Sequence, residues 1–295
     1  MPPTEQATLA GRTVFRVGYG AMQLERLSGD RPAAVALLRQ ALELGVDHLD
    51  TAQFYGNGFV NDVIREVRTG ALIATKVGAD PDPGAPTPLR LAQKPEELRA
   101  SVEDNLRALG VDSIPLVNLR RAERLPGVLA EGDQQVDLDD QLEVMTQLRA
   151  EGKIGAIGLS AVTPETLRRA LPAGIACVQN AYSLVSRDDE EMLELCLAEG
   201  IAWVPFFPLG GAFPGLPKVT DEPPVQKAAQ ELGRTPAQVG LAWLLHRAPN
   251  VHLIPGTASV EHLEANLAVA EIELDDETLA ELGAIPTRPM DLSLR

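Results

Sequence analysis

The chain has 295 residues, 45% of them hydrophobic, which suffices for one large buried core or two modest ones. Its net charge of −16, from 42 acidic against 26 basic residues, argues against a nucleic-acid partner, because phosphate backbones are bound through lysine and arginine. No apolar run is long enough for a membrane span, two cysteines (Cys177 and Cys196) make no disulfide framework, and the opening MPPTEQATLAGRT lacks the pattern of a secretory signal, so a cytoplasmic protein without a membrane partner is expected.

Short apolar runs alternate with amphipathic stretches from one end of the chain to the other. Their spacing predicts strands at 14–18, 46–50, 72–76, 114–119, 154–160, 176–180, 201–206 and 251–255. Helices are predicted at 32–44, 60–67, 95–109, 138–150, 164–171, 188–198 and 261–268, with a further pair at 223–232 and 236–246. Proline or an acidic residue opens several of these, and Gly45, Gly110, Gly152 and Gly200 close others. The Pro/Gly-rich stretches 79–88 and 208–217 follow the third and seventh strands and are expected to be long loops on one face. Eight strands separated by helices, with no linker, predict an α/β fold of the (β/α)8 TIM-barrel type as one domain over 1–295. A doubly wound nucleotide-binding sheet is the alternative, but GYGAMQ (18–23) carries Gln23 where its third glycine belongs.

Active sites of such barrels lie at the C-terminal ends of the strands, and side chains two apart on a strand face the same way. Asp50, Lys76 and Arg120 then close the inward faces of three consecutive strands. One charged strand end is more often solvated than functional. Three neighbours are expensive to bury unless they form a working cluster. Tyr55 follows Asp50 by five residues and can return over the barrel mouth. A tyrosine is a poor acid at neutral pH, and a nearby ammonium lowers its pKa while a carboxylate holds that ammonium. Asp50, Lys76 and Tyr55 thus make a coherent proton-donating unit, with Tyr55's pKa expected to fall. His48 and His246 have no HExxH or CxxC company, so no metal is expected. His48 and Asn118 are candidates for one polar layer inside the barrel. Met22, Gln23, Phe54 and Trp203 either line a pocket or simply pack.

The segments GVDHLDTAQFYG, LIATKVG, GKIGAIGLS, VQNAYSL, VPFFPLGG and IPGTASVEHLEANL, in this order and spacing, resemble the aldo-keto reductases over about 14–270. The PLVNLR end of the fourth strand is similar to the bacterial pyridoxal-reductase-like branch, which implies pyridoxal as a candidate substrate. The resemblance implies a barrel that binds NADP(H) and moves hydride to or from a carbonyl carbon. It implies Tyr55 as acid/base, Lys76 as its tuner and Asp50 as the lysine's partner. Three positions depart from the family pattern, one of them Phe206, where the exchanged aromatic still offers a ring face for stacking. Arg120 stands where a histidine is usual, and Ala161 stands where an asparagine usually follows the serine of strand five. Arg120 can only donate hydrogen bonds and is permanently charged, which suits substrates with an anionic group near the carbonyl, with Arg121 a possible contributor to that field.

The resemblance also implies a cofactor site. Ser160 and Gln179 remain for the nicotinamide carboxamide and Phe206 for stacking on the ring. Pro208, Leu209 and Gly211, with Ile254, Gly256, Thr257, Ser259, His262 and Asn266, lie along the far end of the cofactor. Amides and hydroxyls before a helix N-terminus suit phosphate. With no lysine or arginine in 256–262, a modest preference for NADPH over NADH is expected. Two other readings stay open: a non-catalytic NADP(H)-binding sensor or regulatory subunit, and a Schiff-base aldolase using Lys76. The expected partner is a small-molecule carbonyl substrate; oligomeric state, physiological substrate and reaction direction are left open.

Overall fold

A computed structural model of the chain describes residues 6–84, 88–211 and 216–290. Residues 85–87 and 212–215 of the two expected loops lie outside the described residues. The chain opens with a hairpin of β1 (Gln6–Leu9) and β2 (Arg12–Phe15), turned by Ala10 and Gly11, both at positive φ. The expected first strand at 14–18 is therefore split. Val14 and Phe15 belong to the hairpin, and the ring begins with Arg16–Gly18 and β3 (Tyr19–Gly20).

Around the ring, β3 is followed by β4 (His48–Asp50), β5 (Leu72–Val77), β8 (Ile114–Arg120), β9 (Ile154–Ser160), β10 (Ile175–Gln179) and β11 (Ala202–Trp203), all parallel neighbours. Between β5 and β8 in sequence lies a second hairpin, β6 (Ala79–Pro81) with β7 (Leu89–Leu91), where only loop was expected. Three-residue strands beside prolines carry too little period-2 signal to be seen in sequence. The eighth ring position is filled by the segment 250–253, tied to Trp203 on one side and to Arg16–Gly18 on the other by four backbone hydrogen bonds of 2.7–2.8 Å. Its pairing stops before Pro255, which has no N–H to donate. The ring closes into the expected (β/α)8 barrel.

Helices α1 (Arg31–Glu43), α2 (Phe59–Val67), α3 (Pro95–Leu109), α4 (Leu138–Ala150), α5 (Pro164–Ala170) and α6 (Glu190–Ala198) follow successive strands. They are followed by α7 (Pro223–Leu232), α8 (Pro236–Arg247), α9 (Val260–Leu267) and α10 (Asp276–Gly283). Local chemistry sets their ends. Asp30, Asp137, Thr163, Thr235 and Ser259 accept from first-turn amides, and prolines open α3, α5, α7 and α8. The α10 helix was not expected from sequence, because it buries only Leu282 and so shows no apolar stripe. Inside the barrel, Leu9 and Val14 of the first hairpin meet Leu72, Ala74, Leu116, Cys177, Ala202 and Val204. The hairpin thereby plugs the N-terminal end with apolar side chains worth about 1.5–3 kcal/mol each when fully buried. Only the opposite end, where the charged residues sit, is left for chemistry.

Candidate active site

Strand register brings the predicted acid–base residues together. Asp50 pairs with Ala74, and Lys76 pairs with Asn118, so Lys76 lies one inward position beyond Asp50. The Lys76 ammonium donates to Asp50 Oδ1 at 2.5 Å and to the Thr51 carbonyl at 3.0 Å, and both charged residues are buried. The second Asp50 oxygen accepts from Gln179 Nε2 at 2.8 Å, a bond that no local pattern announces because 129 residues separate the partners. The carboxylate is therefore held on both oxygens. A 3₁₀ turn after β4, with Gly56, Asn57 and Gly58 at positive φ, brings Tyr55 back over the mouth. Its ring lies 5.1 Å from the Lys76 ammonium. The turn is pinned to the β3 side by the Gly56 amide donating to Glu25 at 3.1 Å.

The electrostatics differ from expectation in one respect. Burial pushes the Tyr55 hydroxyl above the ordinary phenol range, and although Lys76 and Arg120 pull it down, the net direction is up. The expected fall is not reached in the protein alone, since desolvation of a phenolate outweighs the nearby cations. Lys76 moves the same way: burial lowers its pKa, but Asp50 and Tyr55 raise it further, so it stays an ammonium. Burial lowers the Arg120 guanidinium, with Tyr55 opposing.

Arg120 ends β8 half-buried at the mouth, and no carboxylate among the described residues pairs with it. Gly127 of the following loop packs directly over it: a Cβ there would lie 2.7 Å from Arg120 Nη2. Arg121, expected as a contributor to the same field, faces outward instead. It pairs with Glu123 and donates to Gln141, because adjacent residues of a strand point to opposite faces. Arg124 pairs with buried Asp189, tying the loop after β8 to the start of α6, and burial raises that carboxyl to about 6 against the pull of Arg124. His48 and Asn118 find different neighbours rather than one another. His48 meets the ring of His252 edge-on at 6.0 Å, and Asn118 accepts from the Cys177 thiol at 3.1 Å. Burial pushes His252 down to about 3, so it is neutral. Trp203 is wholly buried against Tyr182 and packs in the core, whereas Met22, Gln23 and Phe54 are half-buried near the mouth.

On the other side of the mouth, Ser160 ends β9 and Gln179 ends β10 in register with each other. Ser160 Oγ and Gln179 Oε1 are both buried without a partner. Phe206 is half-buried beside Phe207, the two rings meeting edge-on at 5.2 Å. Pro208, Leu209 and Gly211 run partly buried past α8, where the Leu209 carbonyl accepts from Val219 at 3.1 Å. An antiparallel bridge of Gly210 with Lys218 lays the Lys218 stem against Gly211, a cation near this loop that sequence reasoning missed. Across from it, Ile254 and Gly256 pack on Gly20. Tyr19 donates to the Thr257 carbonyl at 2.6 Å, Thr257 Oγ1 accepts from the Ser259 amide at 3.0 Å, and Ser259 Oγ caps α9 by accepting from His262 at 3.4 Å. Both hydroxyls thus serve as local acceptors first. His262 is exposed on the first turn of α9 and Asn266 half-buried on its last.

The Aldo/keto reductase family profile matches residues 16–286. Pyridoxine 4-dehydrogenase of Escherichia coli (strain K12) is 42% identical over 288 residues, covering 94% of this chain and 97% of that protein. An uncharacterized oxidoreductase of Schizosaccharomyces pombe is 33% identical, with 91% and 86% covered. Among solved structures, an aldo-keto reductase from Klebsiella pneumoniae in complex with NADPH superposes with a TM-score of 0.80 at 26% identity, with 99% of each chain covered. With the barrel and its charged mouth already in view, a match of this extent means that the chain belongs to the aldo/keto reductase family.

Proposed function

We propose that this protein is an NADP(H)-dependent reductase of aldehydes or ketones, with Tyr55 as the proton donor and Arg120 as a fixed cationic donor to the carbonyl oxygen. The observation that carries this reading is the buried Asp50–Lys76 pair beneath Tyr55, with an unpaired guanidinium on the adjacent strand. The orphaned Ser160 Oγ and Gln179 Oε1 fit a carboxamide, which offers both a donor and an acceptor. Phe206 offers a ring face, and the loops at 208–211 and 254–259 offer amides and the N-terminus of α9 to phosphate. A nicotinamide cofactor bound there supplies hydride to the carbonyl carbon.

The rest is this chain's own work. Tyr55 keeps its proton through the neutral range because burial holds its pKa up, so the acid is always loaded. Lys76, fixed as a cation by Asp50, and Arg120 stabilise the tyrosinate as the proton leaves and the alkoxide that receives it. A lysine kept charged in this way is no Schiff-base nucleophile, which would need a lowered pKa, so the aldolase reading is disfavoured.

The name of the E. coli relative makes pyridoxine and pyridoxal the first substrates to test. Pyridoxal carries a ring hydroxyl beside its aldehyde, and the ionised hydroxyl is an anion next to the carbonyl, where Arg120 is suited to meet it. The test is NADPH consumption with pyridoxal and a panel of neutral aldehydes. Tyr55→Phe is expected to bind cofactor normally and to lose about 10²–10⁴-fold in kcat. Reduction falls as pH rises through the Tyr55 pKa, and since Arg120 lowers that pKa, Arg120→Met should shift the fall to higher pH. Tight NADPH binding without turnover of any carbonyl would favour the sensor reading instead, and a Tyr55→Phe enzyme with half the wild-type kcat would end the acid assignment.

A further inference from the structure

Gln93 lies between β7 and α3, far from Arg120 in sequence, and is 1% exposed. Its side-chain amide nitrogen donates to two carbonyl oxygens, Gly78 at 2.6 Å and Arg120 at 2.7 Å. These are the carbonyls just past β5 and at the last residue of β8, where the direct ladder between the two strands has ended at Val77 and Leu119. The approach is close: Gly78 sits at φ 98, and any Cβ there would collide with the Arg120 carbonyl. The amide cannot turn over, since its oxygen would then face two carbonyl oxygens. Its Oε1 also accepts from Gln141 Nε2 at 3.0 Å, while the same Nε2 donates to the Gln93 carbonyl at 2.7 Å. Gln141 on α4 is in turn oriented by Arg121, and the main-chain N–H of Gln93 donates to Gln134 Oε1 at 2.8 Å. Every polar atom of Gln93 is thus engaged, and the network ends on the main chain of Arg120.

We propose that Gln93 is a positioning residue for substrate choice, fixing the Arg120 main chain so that the guanidinium is presented to an anionic group beside the substrate carbonyl. This rests on the reading of Arg120 given above. Gly127 limits the guanidinium from the loop side, so the anchored carbonyl and the packed side chain leave it little range. A charge held in one place discriminates between substrates that a swinging charge would treat alike.

The test compares kcat/KM for pyridoxal and for benzaldehyde, a neutral aldehyde, in Gln93→Met and in Gln141→Leu. The first removes both donors at similar volume, and the second removes the donor that Gln141 gives to the Gln93 Oε1 and main-chain carbonyl, so the Gln93 side chain is held less firmly. Both are also made in an Arg120→Met background, with folding followed by circular dichroism and NADPH affinity by fluorescence. The preference for pyridoxal is expected to fall about tenfold in Gln93→Met. A smaller fall is expected in Gln141→Leu, which carries the test should Gln93→Met not fold. Neither change should lower the preference further once Arg120 is Met, and NADPH affinity should hold. Wild-type preference in the folded variants, or an equal loss in the Arg120→Met background, overturns the inference while leaving Arg120's role standing. If Arg120→Met alone keeps wild-type preference, the reading of Arg120 falls and this inference falls with it.

Discussion

Ala161 takes φ 54, a left-handed conformation that costs an ordinary L-residue about 1–2 kcal/mol and that asparagine tolerates best after glycine. Its backbone is pinned on both sides, its N–H donating to the Gln179 carbonyl at 3.0 Å and its carbonyl accepting from Glu123 at 3.2 Å, so the strain cannot relax. The asparagine usual at this place in the family thus has a backbone reason as well as a contact to make. Ala161→Asn is expected to raise unfolding stability by about 1 kcal/mol, read by urea denaturation without cofactor, and to tighten NADPH. A midpoint below wild type would mean that the buried site has no room for the carboxamide. At this scale sequence grouped Asp50, Tyr55 and Lys76, and the three lie together in space, because identity and strand-end position suffice for that. It could not name the Gln179–Asp50 bond or the direction of the Tyr55 shift, which depend on what lies across the barrel and how much water is excluded.

Elements carry the cofactor question. The N-terminus of α9 presents first-turn amides and a helix dipole, which attract an anion, but Thr257 and Ser259 spend acceptor capacity on their own turn and cap. Without a cation in 256–261, recognition of a 2′-phosphate there is expected to be modest. Ala258→Arg, placed just before the cap, should widen the NADPH-over-NADH preference about tenfold by adding a charge-assisted pair. Fluorescence titration of both cofactors checks this. An unchanged ratio would shift attention to Lys218 on the opposite loop, whose stem lies along Gly211. The helices themselves were legible nearly to the residue where caps and prolines are strong, as at α3, α4 and α7. Short strands were legible in place but not in extent: β11 is two residues inside the expected 201–206 and β3 two residues just past the expected 14–18, because neighbours set where pairing begins and stops.

For the whole molecule, closing the ring is the demanding step, and a buried arginine does much of it. Arg16, 2% exposed, donates to the carbonyls of Val251, Leu245 and Ala248 at 2.6–2.9 Å. Two of those carbonyls belong to the last turn of α8 and the residue after it, and the third to the eighth ring segment. One side chain therefore ties the first strand position, the last one and the helix between. Arg16→Met should lower unfolding free energy by at least about 3 kcal/mol, because several buried acceptors lose a charged donor at once. Chemical denaturation measures it, and a loss below about 1 kcal/mol would show that water replaces the guanidinium. No helix among the described residues is long and apolar enough to cross a membrane.

What sequence alone determined was the periodic part: the alternation of strand and helix, the barrel, and which strands end in charge. Those features are written locally, as apolar spacing, caps and side-chain chemistry within a few residues. Tertiary structure alone decided the meetings across the barrel. It set Gln179 on Asp50 and Gln93 on the Arg120 carbonyl, and it turned Arg121 away from the mouth. It also let burial outweigh two cations at Tyr55. The physical reason is that hydrogen-bond partners and desolvation belong to the space between segments, and a linear spacing holds no record of that space until the ring has closed.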